Sequence, residues 1–481
     1  MAEIELKRIS EYIWEIPPTG GMRVPARVFA SEKLLEKIRE DETLEQARNM
    51  AYLPGVHSPV CVLPDAHQGY GFPVGGVAAL DAEKGVISPG AIGFDINCGV
   101  RVCKTNLTYD DLKGKEQLLV DTLFSEIPTG IGEGSIVGKL SKDELDKVAV
   151  QGVQWALRHG YAVEEDLEHC EDNGVRPGAD PDAVSTEAKE RAQKQLGSLG
   201  SGNHFLEVQR VAEIFDEDVA REFGLFKDQI VVMIHCGSRG YGHQICTDYL
   251  RLIEREFRDL LSSLPDRQLA CAPVHSKLAQ DYYAAMNCAI NFAWCNRQII
   301  MHKARECFEK VFRASWRELG MHLLYDVAHN IGKRETHRIN GREVDVYVHR
   351  KGATRAFPAG RPEVPEAFRR VGQPIIIPGS MGTGGYILVG TEIAMQQTFG
   401  STAHGAGRVM SRTKATKQYR ADNLIAELRE RGIYVRGQSR ATIAEEAPGA
   451  YKDLDEVVRV SHEVGIGRRV AKLLPVCNIK G

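Results

Sequence analysis

The stretch "QIVVMIHCGSRG" (229–240) decides the fold class. Five apolar residues, mostly β-branched, run from Ile230 to Ile234 and end on His235, with Gly237 and Gly240 close behind. Such a run predicts a strand that stops at a loop. The same pattern recurs in "VGGVAAL" (74–80), "GVRVCKT" (99–105), "HLLYDVAH" (322–329), "DVYVHR" (345–350), "QPIIIPGS" (373–380) and "GYILVG" (385–390). Apolar residues at three- and four-residue spacing predict helices over 142–159, 245–262, 276–313 and 417–431. The third contains "YYAAMNCAINFAWCNRQIIMH" (282–302), apolar along one side, and reads as a central packed helix. Strands and helices do not alternate as regular βαβ units, so an α+β fold is expected rather than a doubly wound sheet. The polar segment 169–193 reads as a surface excursion running into a short helix, and 262–276 as a loop joining two helices.

With 481 residues, 43% of them hydrophobic and 26% charged, the chain has the composition of a soluble globular protein. No apolar run reaches the length of a membrane span, and "MAEIELKRISEYIWEIPP" (1–18) has no basic-then-apolar leader pattern, so a cytoplasmic protein is expected. Eleven cysteines, scattered singly, argue against a disulfide framework. A net charge of −4 gives no global basic field for nucleic acid, though a local basic groove is compatible with it.

Chemistry concentrates where the strands end. Asp95 and Cys98 stand three apart in "SPGAIGFDINCGVR" (88–101), and His204, His235 and His329 each close an apolar or glycine-rich segment. One carboxylate, one thiol and three imidazoles are too many ligands for one tetrahedral ion; two metals with a shared ligand would use them all. Ligand softness alone points to zinc. The glycine-rich turns "GSLGSGNH" (197–204) and "IPGSMGTGGY" (377–386) offer backbone N–H nests for anions, but neither is a Walker or Rossmann motif. His404 opens "HGAGRVMSR" (404–412). An imidazole there is either a covalent nucleophile toward phosphorus, with Arg408 offsetting oxyanion charge, or a further metal ligand; residue types leave both open. Basic residues gather at Arg350, Lys351, Arg355 and Arg361, at Arg408, Arg412, Lys414, Lys417 and Arg420, and at Arg239 near His235. They are read as a phosphodiester track or as solvated faces.

These motifs, in order, resemble one family. "LPDAHQGYGFPVGG" (63–76), "GFDINCGVR" (93–101), "LGSLGSGNHFLEV" (196–208), "IHCGSRG" (234–240), "YDVAHNIGK" (325–333), "VHRKGATRAFP" (348–358), "IPGSMGT" (377–383) and "HGAGRVMSR" are similar to the RtcB family of RNA-splicing ligases, closest to its archaeal-type members. The resemblance runs from "WEIPPTGGMRVPARVFA" (14–30) to the terminal "IKG". It implies a single α+β domain over 1–481, with mixed sheets surrounded by helices. It implies GTP- and Mn2+-dependent joining of a 2′,3′-cyclic phosphate or 3′-phosphate RNA end to a 5′-hydroxyl end, in tRNA splicing and RNA repair. The expected path is a guanylylated histidine, then an RNA–ppG end.

Carried over by motif, His404 would be guanylylated and Asp65 would support the RNA-end chemistry near the metals. Asp95, Cys98 and His204 would hold one manganese, and Cys98, His235 and His329 the other; manganese replaces the zinc expected from softness. Asn203, His204, Phe205, Leu206, Glu207, His329, Asn330, Pro378, Gly379, Ser380, Met381, His404, Gly405, Ala406, Gly407 and Arg408 would surround GMP. Lys480 would reach the base, with Glu207 as a second polar reader. Arg239 and Arg412 are the candidate RNA contacts. Some members carry a serine after the "GSMGT" turn where this chain has Gly385, which puts that nucleotide contact in doubt. RNA, as tRNA exon halves or broken ends, is the expected partner, with the small activator archease beside it; a monomer is expected. Two other readings compete: a binuclear metallophosphoesterase needing no covalent histidine, and a noncatalytic RNA-binding module.

Overall fold

The structure is a computed structural model describing residues 4–130 and 134–481. It is α+β, with two large mixed sheets and helices around them. The first sheet has seven strands, in the order Lys7–Arg8, Ile13–Ile16, Ala26–Phe29, Val60–His67, Val74–Asp81, Arg342–Lys351, Asn330–Ile339. The second runs His322–Ala328, Gly99–Thr108, Gln229–Cys236, Phe205–Ile214, Arg468–Lys480, Gly385–Val389, Pro374–Pro378, with Tyr434–Gly437 added in parallel to Arg468–Lys480.

The run 229–236 lies in the middle of the second sheet and is buried throughout. Its alternation explains the unbroken apolar pattern. Ile230, Val232 and Ile234 pack on one face of the sheet with the long helix, while Val231 and Met233 pack on the other. His235 therefore shares a face with Val231 and Met233, and Cys236 shares the helix face.

Register then sets the site. His235 pairs with Val100 on one side and Phe205 on the other, and Phe205 pairs with Lys480. Gly99 faces both Cys236 and Ala328. Cys98, His204 and His329 are each one residue beyond these pairs, so they come together at a single edge of the sheet. His329 is also the hinge between the sheets, since His322–Ala328 belongs to the second and Asn330–Ile339 to the first.

The helix Lys277–Phe312 starts at an N-cap where Ser276 accepts from Ala279 N and ends at Arg313 in a left-handed conformation. The sequence predicts burial along one side; in the structure every residue from 285 to 301 is buried. Its polar residues are accordingly hydrogen-bonded to surrounding segments, as burial demands. Four other expectations are corrected. The helix over 142–159 breaks at Gly152 (φ 54°), and that over 417–431 is two helices, Arg412–Gln418 and Ala421–Glu430. The segment 169–193 is not simply a surface excursion, because Glu171 is fully buried. The loop 262–276 contains a buried strip, Leu269–Ala272, whose Ala272 pairs with Ile87. No helix among the described residues is long and apolar enough to cross a membrane.

Candidate active site

Asp95 and Cys98 belong to one tight turn, closed by Cys98 N donating to Asp95 O at 2.9 Å. His329 N donates to Cys98 O (2.8 Å) and Asn97 N to Asn330 O (2.7 Å), which ties the turn to the hinge between the sheets. Asp95 Oδ1 accepts from Ser238 N (3.1 Å) at the start of the helix Arg239–Glu256. A Cβ on Gly237 would sit 2.2 Å from that oxygen, so this approach requires glycine.

The side chains converge. His204 Nε2 lies 2.9 Å from Asp95 Oδ2 and 3.5 Å from Cys98 Sγ. His235 Nε2 lies 3.2 Å from Cys98 Sγ and 3.3 Å from His329 Nε2. Two sets of three donor atoms result, Asp95–Cys98–His204 and Cys98–His235–His329, each within 4.8 Å and sharing the Cys98 sulfur. Burial, helped by neighbouring imidazoles, holds His235 and His329 well below the usual histidine range, so both rings are neutral with lone pairs available. Burial works against ionising Asp95, but the His204 contact outweighs it and brings the carboxyl down to about 2. Burial and the Asp95 charge push the Cys98 thiol up to about 12. A carboxylate and two neutral imidazoles facing a thiol fit divalent cations that would draw off its proton.

His404 adjoins this cluster, its ring centroid 4.8 Å from that of His329. It follows the strand Ser401–Ala403, which pairs with Ala353–Arg355. Asp65, fully buried, supports it: Oδ2 accepts from His404 N (2.8 Å) and Gly405 N (3.2 Å). The ring Nδ1 of His404 is 2.5 Å from the same oxygen, a contact closer than it is well aligned. Burial opposes the charge on Asp65, yet the His404 contacts and Lys452 hold its carboxyl below the usual range. With Nδ1 turned to a carboxylate, Nε2 is the nitrogen left for chemistry. Gly407, at φ 75°, lets this loop pass Asp65, since a Cβ there would be 2.1 Å from Asp65 O.

A cavity of about 280 Å³ joins His404 to Asp95, Cys98, His235 and His329. Of the residues expected around GMP, Asn203, Phe205, His329, Asn330, Pro378, Gly379, His404, Gly405, Ala406, Gly407, Arg408 and Lys480 line it. Others do not. Leu206 packs on the helix face of the sheet, Met381 sits in a separate apolar cluster with Leu424 and Leu428, and Ser380 Oγ turns to Thr383. His204 faces the neighbouring cleft. Glu207 is off the lining, held by Gln209 Nε2 (2.6 Å) and Asn478, and burial raises it to about 7. Lys480 Nζ lies 4.6 Å from the centre of the Phe205 ring. A Cβ at Gly385 would come within 2.9 Å of Ile377 O and 3.0 Å of Met233 Cε, so a side chain there would enter packed core.

Arg408 has its donors committed, to Met410 O (3.1 Å), Glu446 (3.0 Å), Tyr451 Oη (3.1 Å) and Glu445 O (2.8 Å). Neither Tyr451 nor Lys351, which also line the cavity, was singled out for it by the sequence; Lys351 had a motif to signal it, Tyr451 none. The cavity opens into two clefts, of about 890 and 720 Å³, and Arg412 lines all three spaces. Arg239, Arg191, Lys139 and Lys194 lie on the larger cleft. The basic cluster 349–361 is not a surface track: Arg350 is fully buried on Glu335, and Arg355 is buried beside Glu171 and Asp172.

Comparison with known proteins identifies the family of the chain. The family model for tRNA-splicing ligase RtcB matches residues 46–481. The tRNA-splicing ligase RtcB of Thermococcus kodakarensis is 55% identical over 479 residues, 99% of each chain, and that of Archaeoglobus fulgidus 54% over the same span. The Methanococcus maripaludis protein of the same name is 51% identical over 98% of this chain and 99% of its own. The chain belongs to the RtcB family.

Proposed function

We propose that the protein is a GTP- and Mn2+-dependent RNA ligase that joins 2′,3′-cyclic phosphate or 3′-phosphate ends to 5′-hydroxyl ends, in tRNA splicing and RNA repair. The observation that carries this reading is the placement of His404: its Nδ1 is against a buried carboxylate, and its ring adjoins two donor sets that share one sulfur.

Asp65 holds the Nδ1 proton and fixes the ring, so Nε2 presents its lone pair to the cavity. Attack on the α-phosphorus of GTP forms an N–P bond, breaks the α–β anhydride and releases pyrophosphate. A water opens a cyclic end to the 3′-phosphate. An oxygen of that phosphate then takes GMP from His404, breaking the N–P bond and giving RNA–ppG. The 5′-hydroxyl attacks the RNA phosphorus, the phosphodiester forms and GMP leaves. Asp95, Cys98, His204, His235 and His329 would hold two Mn2+, which supply charge neutralisation for the pyrophosphate and the reacting phosphates. Lys480 reads the base edge from its place over Phe205. Arg239 and Arg412 hold RNA phosphates along the larger cleft. Archease is the expected activator.

The test is joining of a 3′-phosphate fragment to a 5′-hydroxyl fragment with GTP and Mn2+, each omitted in turn. Product that needs both supports the ligase. Hydrolysis of phosphate esters without GTP, and no joined product, would instead identify a phosphoesterase.

A further inference from the structure

The long helix presents two polar residues to the loops that carry the donor atoms. Arg297 is fully buried. Its Nη1 donates to Asn97 O (2.8 Å) and Cys236 O (2.7 Å), and its Nη2 to Asn97 Oδ1 (3.1 Å) and Asp326 Oδ1 (2.8 Å). Its Nε donates to Asp326 Oδ2 (2.9 Å). One guanidinium thus ties together the turn between Asp95 and Cys98, the residue after His235 and the strand leading to His329. Asn97 sits at φ 53°, a conformation that a non-glycine residue keeps only where its surroundings impose it. Its Nδ2 donates to Ile290 O (2.7 Å) on the same helix. Asn296 grips the remaining loops: Oδ1 accepts from Gly197 N (2.7 Å) and Ser198 N (3.1 Å), ahead of His204, and Nδ2 donates to Gly237 O (3.2 Å).

We infer that Arg297, with Asn296 beside it, is a positioning residue for the shared-thiolate cation centre, setting the distance of Cys98 from His235 and His329. The inference rests on the cation reading proposed above. The segments it joins are far apart in sequence, and a planar fork of donors can serve three of them at once where a lysine cannot. Arg101 is the internal control. It is equally buried and shares Asp326 (Nε to Oδ2, 2.7 Å), but its other contacts are Gln298 and Met301, not the donor-bearing turns. A buried ion pair with only a structural role predicts the same outcome for both arginines.

The experiment is titration of the full chain with Co2+, read by its d–d and thiolate charge-transfer absorption, alongside thermal unfolding. Arg297→Lys should bind Co2+ about 10–100-fold more weakly, with an altered charge-transfer band. Arg101→Lys should keep wild-type affinity and spectrum even where its melting point falls as far. Should Arg297→Lys fail to fold, Asn97→Gly keeps the left-handed backbone and removes the side-chain link, and should weaken Co2+ binding about 10-fold. Wild-type affinity and spectrum in Arg297→Lys, or in Asn97→Gly where that variant stands in, overturns the positioning role, as does equal weakening by Arg101→Lys. A wild-type chain that binds no Co2+ overturns the cation reading itself, and this inference with it.

Discussion

Lys333 and Cys98 each anchor a buried polar cluster, and the two are built on opposite principles. Around Lys333, charges close on one another: Nζ lies 2.8 Å from both Glu171 and Asp172, and Arg355 and Arg176 complete the pairing of those carboxylates. Around Cys98, donor atoms face donor atoms. Five donor side chains gather with no lysine or arginine among them, and among the described residues the Nδ1 atoms of His204 and His235 have no hydrogen-bond partner. A buried set in which every charge touches an opposite one needs no ligand from outside. A buried set of lone pairs is completed by cations from outside. Burial alone therefore does not separate architecture from chemistry; the sign of what remains unpaired does.

Substitutions can break this contrast. The largest effect is expected at His404, where His404→Ala should abolish labelling of the protein by GTP and lower RNA joining at least about 10⁴-fold, measured as label retained and product formed. Asp65→Asn should slow labelling about 10²–10⁴-fold while the melting point moves little, because a carboxamide no longer holds the ring in its tautomer; labelling at the normal rate would remove Asp65 from the mechanism. Cys98→Ala should reduce bound Mn2+ for both donor sets together, whereas His204→Ala should weaken one, as metal analysis after dialysis would show. On the other side, Lys333→Met should cost about 3–5 kcal/mol of stability by removing the buried cation between Glu171 and Asp172, with labelling unchanged while the chain is folded; lost labelling in a folded variant would blur the two clusters. The smallest effect is expected at Arg412. Arg412→Ala should weaken RNA binding and reduce its salt dependence by about one phosphate contact, leaving labelling intact.

Much of this was legible in the chain. The unbroken apolar run in 229–236 gave a buried strand, and the strand-terminal histidines with Asp95 and Cys98 stood out because short glycine-flanked turns present them. The contacts that give other residues their roles were not legible, because they join distant segments. Asp65 meets His404 across 339 residues, so motif position alone did not show that it holds that histidine. Arg350 and Arg355 read as a basic surface because their carboxylate partners lie outside the motif, Glu335 on the preceding strand and Glu171 far back in the chain. Arg297 lay unremarked in an apolar helix, since only the packed structure shows what its five donors hold.

The central claim is that His404 carries the nucleotide. Intact-chain mass spectrometry after GTP and Mn2+ treatment, followed by peptide mapping, tests it most directly. The account predicts one added GMP on the peptide containing His404, lost on addition of RNA with a 3′-phosphate. An unmodified chain, or GMP on any other residue, would contradict it.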